Sequence, residues 1–193
     1  MFASLRHFLG WLVGLRSAET QTTQAERACL ARHVQGRSRV AEIGVWHGVN
    51  TAIFRRVMAP DGILYAIDPF PAGRLGVSLP QLIAHAEVKR VSGGIVEWLR
   101  TTGVNAAAQM QKPVDFIFID GDHSAEGLTG DWHAWRDLIA PGGIVALHDS
   151  RSTRERPIDD AGSVVVTNTL ILPDPRFDVV ETVESLTVLT RKK

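Results

Sequence analysis

The chain has a single cysteine, Cys29, among its 193 residues, so no intrachain disulfide can form and a reducing, cytoplasmic setting is expected. It has no excess of charge of either sign, with 21 basic and 21 acidic residues. That balance lacks the basic surface nucleic acid demands, and nucleic acid is not expected as a partner. It has no apolar run near the roughly 20 residues that span a bilayer. It shows no internal repeat and no low-complexity tract. What is there is an ordinary globular balance, 45% hydrophobic and 22% charged, in a length that suits one domain.

The N-terminal stretch departs from that balance. Phe8–Leu15 is apolar and bounded by Arg6, His7 and Arg16. A secretory leader would need a small-residue cleavage site after Arg16, and none is evident. Phe2, Leu5, Leu9, Leu12 and Val13 can share one helical face, widened by Phe8, Trp11 and Leu15. Three basic groups are thin for an interfacial membrane helix. The arm, residues 1–36, is therefore expected to pack on protein, either its own domain or a second copy in a homodimer, without stable membrane insertion. Residues 37–193 form the domain.

Beyond residue 20 strand and helix patterns alternate, the mark of an α/β fold with a parallel sheet. Helix is expected over 23–33 and strand over 39–44, then a helix capped by Asn50 whose apolar face is Ile53, Phe54, Val57 and Met58. A second strand, 63–67, ends at Asp68, and 69–80 reads as loop. Val88–Val91 reads as a short third strand followed by Ser92-Gly93-Gly94 and a helix around Trp98. Val114–Ile119 is nearly continuous in apolar residues, as for a strand buried on both faces. Ser124 can cap the next helix, whose stripe runs Leu128, Trp132, Trp135, Leu138, Ile139. Ile144–Leu147 is a fifth strand, and 177–183 with 186–189 reads as a closing hairpin. The expected fold is doubly wound and mostly parallel, with that hairpin antiparallel.

In such sheets ligands bind at the carboxyl ends of the strands. After the first strand comes Glu42-Ile43-Gly44-Val45-Trp46-His47-Gly48. Its glycines let the backbone turn and approach a ligand. A dinucleotide site asks for G-x-G-x-x-G, and here Trp46 stands where the second glycine would. Asp68, ending the next strand, faces the same crevice and can accept both hydroxyls of a ribose.

The segment 40–68, the strand ending in Asp120 with Gly121-Asp122-His123, and Pro141-Gly142-Gly143 before His148-Asp149 together resemble class I S-adenosylmethionine-dependent methyltransferases. "FIFIDGDHSAEGLTGDWHAWRDLIAPGGIVALHD" is similar to the small-molecule O-methyltransferase branch that includes the catechol and macrocin enzymes. The resemblance covers residue 37 onward. It implies a seven-stranded Rossmann-like sheet, a helix over 163–172 despite the strand-like Val164-Val165-Val166, and S-adenosylmethionine as cofactor. It assigns Glu42, Gly44, Trp46 and Gly48 to the methionine half, Asp68 to the ribose, Ser92 and Gly93 to the adenine side, and Asp120 to the cofactor wall. The implied reaction is methyl transfer to a hydroxyl of a small-molecule acceptor.

Such a transfer needs nucleophile and methyl held in line and a proton removed. Asp122, His123 and His148 are the candidate bases. Metal-dependent members bind a divalent cation at these strand ends, which carries over to Asp120, His148 and Asp149. Magnesium prefers oxygen, so the nitrogen of His148 favours manganese or a later metal. Alternatives are a non-catalytic cofactor-binding scaffold and a nucleotide-dependent oxidoreductase, the latter disfavoured by the missing glycine.

Overall fold

The computed structural model describes residues 2–73 and 76–193. Positions 74 and 75 of the expected loop, and the side chain of Phe2 in the expected apolar face, lie outside that description. Helices α1 (Phe2–Leu12) and α2 (Gln24–Val34) precede the sheet. Then come β1 (Arg39–Ile43), α3 (Val49–Val57), β2 (Ile63–Ile67), α4 (Leu79–Lys89), β3 (Ile95–Leu99) and α5 (Gly103–Ala107). The chain continues with β4 (Val114–Ile119), α6 (Ala125–Trp135), β5 (Ile139–Leu147) and α7 (Gly162–Val166), which runs on as a π-helical turn, Thr167–Ile171. It closes with β6 (Phe177–Val183) and β7 (Leu186–Arg191).

The seven strands lie in the order β3-β2-β1-β4-β5-β7-β6, parallel except where β7 pairs with β5 and β6. This is the doubly wound sheet with an antiparallel C-terminal hairpin that the sequence predicts. Strand order reverses between β1 and β4, so their carboxyl ends open the crevice of the fold. β4 is buried on both faces. Ile117 and Ile119 join Trp132 and Trp135 of α6, while Phe116 and Phe118 join Leu30 of α2 and Phe54 of α3.

Helix starts follow local chemistry. Thr23 and Glu26 form a reciprocal capping box on α2, and the Ser124 hydroxyl accepts the Gly127 N–H at the start of α6. Asn50 is not the cap of α3. Gly48 is, at φ +75°, and Asn50 sits buried in the first turn accepting a hydrogen bond from Thr22 Oγ1.

Two further expectations are corrected. Val88–Val91 is not a strand: Val88 belongs to the buried stripe Ile83, Ala84, Val88 of α4. The third strand is Ile95–Leu99, so Trp98 lies on a strand, stacked on His85 at 3.9 Å. β3 is the sheet edge, and its exposed Ile95 and Glu97 break the apolar run that marks a buried strand. Likewise α6 stops at Trp135, and Ile139 opens β5, with Pro141-Gly142-Gly143 bulging within the strand.

Candidate active site

At the carboxyl ends of β1, β2 and β4 lies a cavity of about 810 Å³. Gly44 shapes its floor at φ +91°, and a Cβ there would stand 2.1 Å from the Asp120 carbonyl oxygen. The two strand ends can meet only because this residue has no side chain. Asp68 then fixes the loop. Its Oδ2 accepts the Val45 and Trp46 N–H groups at 3.1 and 3.0 Å, and its Oδ1 accepts that of Phe70 at 2.7 Å. Those bonds hold Trp46 and Phe70 at positive φ, 49° and 43°. Asp68 therefore lines the cavity and organises the loop at once.

Glu42 does not reach the cavity, contrary to expectation. It is fully buried beneath the loop, where its Oε2 accepts the Thr51 hydroxyl at 2.5 Å. Burial pushes its carboxyl well above the ordinary range, and nearby Asp120 and Asp68 add to that. Gly48 also stays behind the wall: a Cβ there would press on Ala84 of α4 at 2.9 Å. Ser92 and Gly93 are at the wrong end of β3, Gly93 packing on the Arg55 carbonyl. The residues after β3 that line the cavity are Thr101, Thr102, Gly103 and Val104.

Sequence reasoning also missed Asp131. It sits between Leu128 and Trp132 on the inner side of α6 and lines the cavity beside Gly103. Burial raises its carboxyl to about 6. A charged residue at i+3 in an otherwise apolar stripe is the signal that was available. Glu19, Thr20 and Gln21, ahead of α2, form another part of the wall.

Past β4, Asp120, Asp122 and His123 face the cavity. Asp122 is exposed, and its Oδ1 accepts the Ser124 N–H at 2.9 Å. That bond holds its carboxyl below the usual range, which suits a cap better than a base. His123 bridges two acids, with Nε2 3.1 Å from Asp120 Oδ1 and Nδ1 3.2 Å from Asp149 Oδ2. Hydrogen bonds to Asp120 and Asp149 raise its ring to about 9.

His148 and Asp149 lie one layer deeper, not on the cavity wall. The His148 side chain is 0% exposed, its Nδ1 2.7 Å from Asp120 Oδ1 and its Nε2 3.6 Å from Glu26 Oε2. Burial alone would lower its ring, but Asp120 and Glu26 at its two nitrogens outweigh that and raise it to about 10. Asp149 pairs with Arg156 and His123. Although burial opposes it, His123, His148 and Arg156 hold the Asp149 carboxyl below its usual range. His148 thus positions Asp120 and cannot touch a ligand in the cavity.

The arrangement is an open cavity beside a compact lattice of carboxylates and imidazoles. A family profile described as a methyltransferase domain matches residues 41–150, more than half of the chain. No curated protein sequence matches it. Among solved structures, the O-methyltransferase TomG from Streptomyces achromogenes, in complex with SAM, is 15% identical with a TM-score of 0.69, covering 98% of this chain and 89% of TomG. An O-methyltransferase from Bacillus cereus, in complex with SAH, is 18% identical at 0.65, covering 98% and 91%. The N-methyltransferase NodS from Bradyrhizobium japonicum, also with SAH, is 17% identical at 0.63, covering 100% and 98%. The chain belongs to the methyltransferase domain family.

Proposed function

We propose that the chain transfers a methyl group from S-adenosylmethionine to a hydroxyl of a small-molecule acceptor, with His123 taking the hydroxyl proton. The observation that carries this is the charge of the cavity. Among the described residues its lining contains Glu19, Asp68, Asp120, Asp122, Glu126 and Asp131, and no lysine or arginine. Such a lining welcomes a sulfonium cation and repels the pyrophosphate of a dinucleotide. The residues fit the cofactor: Asp68 for the ribose, the Gly44–Trp46 turn for the methionine half, and Thr101–Val104 with Asp131 for the adenine.

When bound, S-adenosylmethionine supplies an electrophilic methyl group on a positively charged sulfur. The protein's share is orientation, exclusion of water and removal of a proton. His123 is the imidazole on the cavity wall, and Asp120 and Asp149 fix its ring from both nitrogens. Asp120 is in turn fixed by buried His148.

Calorimetry on the purified chain should show S-adenosylmethionine binding and no NADH binding. Labelled cofactor with a panel of phenols, sugars and hydroxy acids should identify a methylated acceptor. Asp68→Ala should weaken the cofactor by about 1.5–3 kcal/mol, the scale of charged hydrogen bonds. Unchanged affinity in a folded Asp68→Ala protein would remove Asp68 from the site, and NADH binding would overturn the reading as a whole.

The divalent cation expected on Asp120, His148 and Asp149 meets a different donor set. Asp120, His123 and His148 offer ligand atoms within 4.8 Å of one another, whereas Asp149 is committed to His123 and Arg156. One carboxylate and two imidazoles do not suit magnesium. The His123 ring itself stands between Asp120 and Asp149, where a bridging ion would have to go. The residues as arranged do not fit a resident magnesium ion. Turnover is therefore expected without added magnesium, and a strict magnesium requirement would refute that.

A further inference from the structure

Helix α1 is covered on one side only. Trp11 is buried, its Nε1 donating to Glu87 Oε1 of α4 at 2.6 Å, with the Arg90 guanidinium 5.4 Å from its ring. His7, also buried, stacks on His47 of the Gly44–Gly48 loop at 5.0 Å. On the other side Leu5, Leu9 and Leu12 share a face by their spacing and stay exposed, Leu9 by 51% and Leu12 by 61%. Val13 and Leu15 continue the apolar surface, Leu15 at 83%.

A small cavity of about 230 Å³ lies between α1, the Gly44–Gly48 loop and the first turn of α4, lined by Arg6, His7, Arg16 and His47, with one acid, Glu19. The His7 Nδ1 lies 3.0 Å from Glu19 Oε1, and its buried Nε2 has no partner. Among the described residues no carboxylate lies within ion-pair distance of Arg6 or Arg16. The first 18 residues contain no aspartate or glutamate at all.

We propose that this surface docks on an anionic phospholipid bilayer. Leu5, Leu9, Leu12, Val13 and Leu15 enter the interface, and Arg6 and Arg16 take a headgroup phosphate at the mouth of the small cavity. An exposed apolar helix face supplies burial. The basic groups are few for such a helix, but the fold gathers Arg6 and Arg16 at one cavity, which concentrates their attraction to an anionic headgroup at one point. No helix among the described residues is long and apolar enough to cross a membrane, so the contact is peripheral. Charge favours lipid over a second copy: the first 18 residues of another arm would offer Arg6 and Arg16 no acid to pair with.

Flotation of the full chain with phosphatidylcholine vesicles, with and without phosphatidylglycerol, tests this. Binding is expected only with phosphatidylglycerol and should fade in high salt. Arg6→Ala and Arg16→Ala should each weaken it about fivefold. The double change Leu9→Glu with Leu12→Glu should weaken it by more than about tenfold. Both leucines are exposed, so the variants should keep the parent melting temperature, which verifies folding. Failure to float with phosphatidylglycerol, or equal flotation of the leucine variant, overturns the proposal. A doubled mass in sedimentation that the leucine variant abolishes overturns it in favour of a second copy. Binding of inorganic phosphate, seen at His7 by NMR, without vesicle binding overturns it in favour of a free anion.

Discussion

His123→Gln is expected to lower turnover by roughly 10²–10⁴-fold, the usual share of a positioned base, while S-adenosylmethionine affinity is retained. His123 is the imidazole that lines the large cavity, and both its nitrogens are held by carboxylates, Asp120 and Asp149. Those acids raise the ring to about 9, so in the free protein it carries a proton at neutral pH. The sign follows. The neutral form, which accepts a proton, grows as pH rises, so kcat/KM should climb with pH, reach half its plateau near 9 and level off above that. In His123→Gln that limb should vanish. His148→Asn is the comparison. It removes a buried cation from Asp120, leaving His123 facing that carboxylate with less competition, and so should move the limb to higher pH. A parent-like limb in His123→Gln would exclude His123 as the base.

The parts of this fold that sequence made legible are those whose environment is uniform. β4 is apolar on both faces and reads as an unbroken run, and the glycine turn after β1 reads as a ligand loop because Gly44 and Gly48 both need positive φ. β3 is different. As an edge strand it mixes exposed Ile95 and Glu97 with half-buried Trp98, so its pattern loses to the helical end of α4 at Val88. One misplaced strand then carries the adenine side to Ser92 and Gly93, when the carboxyl end of β3 delivers Thr101 and Thr102.

Depth is the other thing a sequence hides. Asp120, His148 and Asp149 all stand at strand ends, but only Asp120 of the three faces the cavity. Asp149 adopts φ 47°, turning the chain and leaving both it and His148 underneath. Glu26 completes the buried lattice from α2, well before β1. No local pattern links it to His148, because it already serves in the Thr23 capping box and also accepts Ser185 N–H and Oγ–H at 3.0 and 2.7 Å. Only the tertiary fold joins those three duties.

Gly44→Ala should be among the most damaging single-methyl changes in the chain. Two costs add at this position. A side chain at φ +91° is strained by roughly 1–2 kcal/mol. The new Cβ also meets the Asp120 carbonyl oxygen at 2.1 Å and its carbon at 2.6 Å, backbone atoms just past the end of the central strand β4. Overpacking of that kind costs about 1–3 kcal/mol. The sum is about 2–5 kcal/mol, readable as a lower urea midpoint at unchanged slope. Binding should fall as well, because parting β1 from β4 pulls Val45 and Trp46 off Asp68. Gly142→Ala separates the two costs. Gly142 has φ +75°, and a Cβ there would find nothing within 4 Å, so alanine at that position meets the backbone strain alone. The excess loss at Gly44 over Gly142 then measures the contact with Asp120. Equal midpoints for the two variants, with cofactor affinity intact, would mean that the β1–β4 junction yields easily and that Gly44 is there for its backbone angle alone.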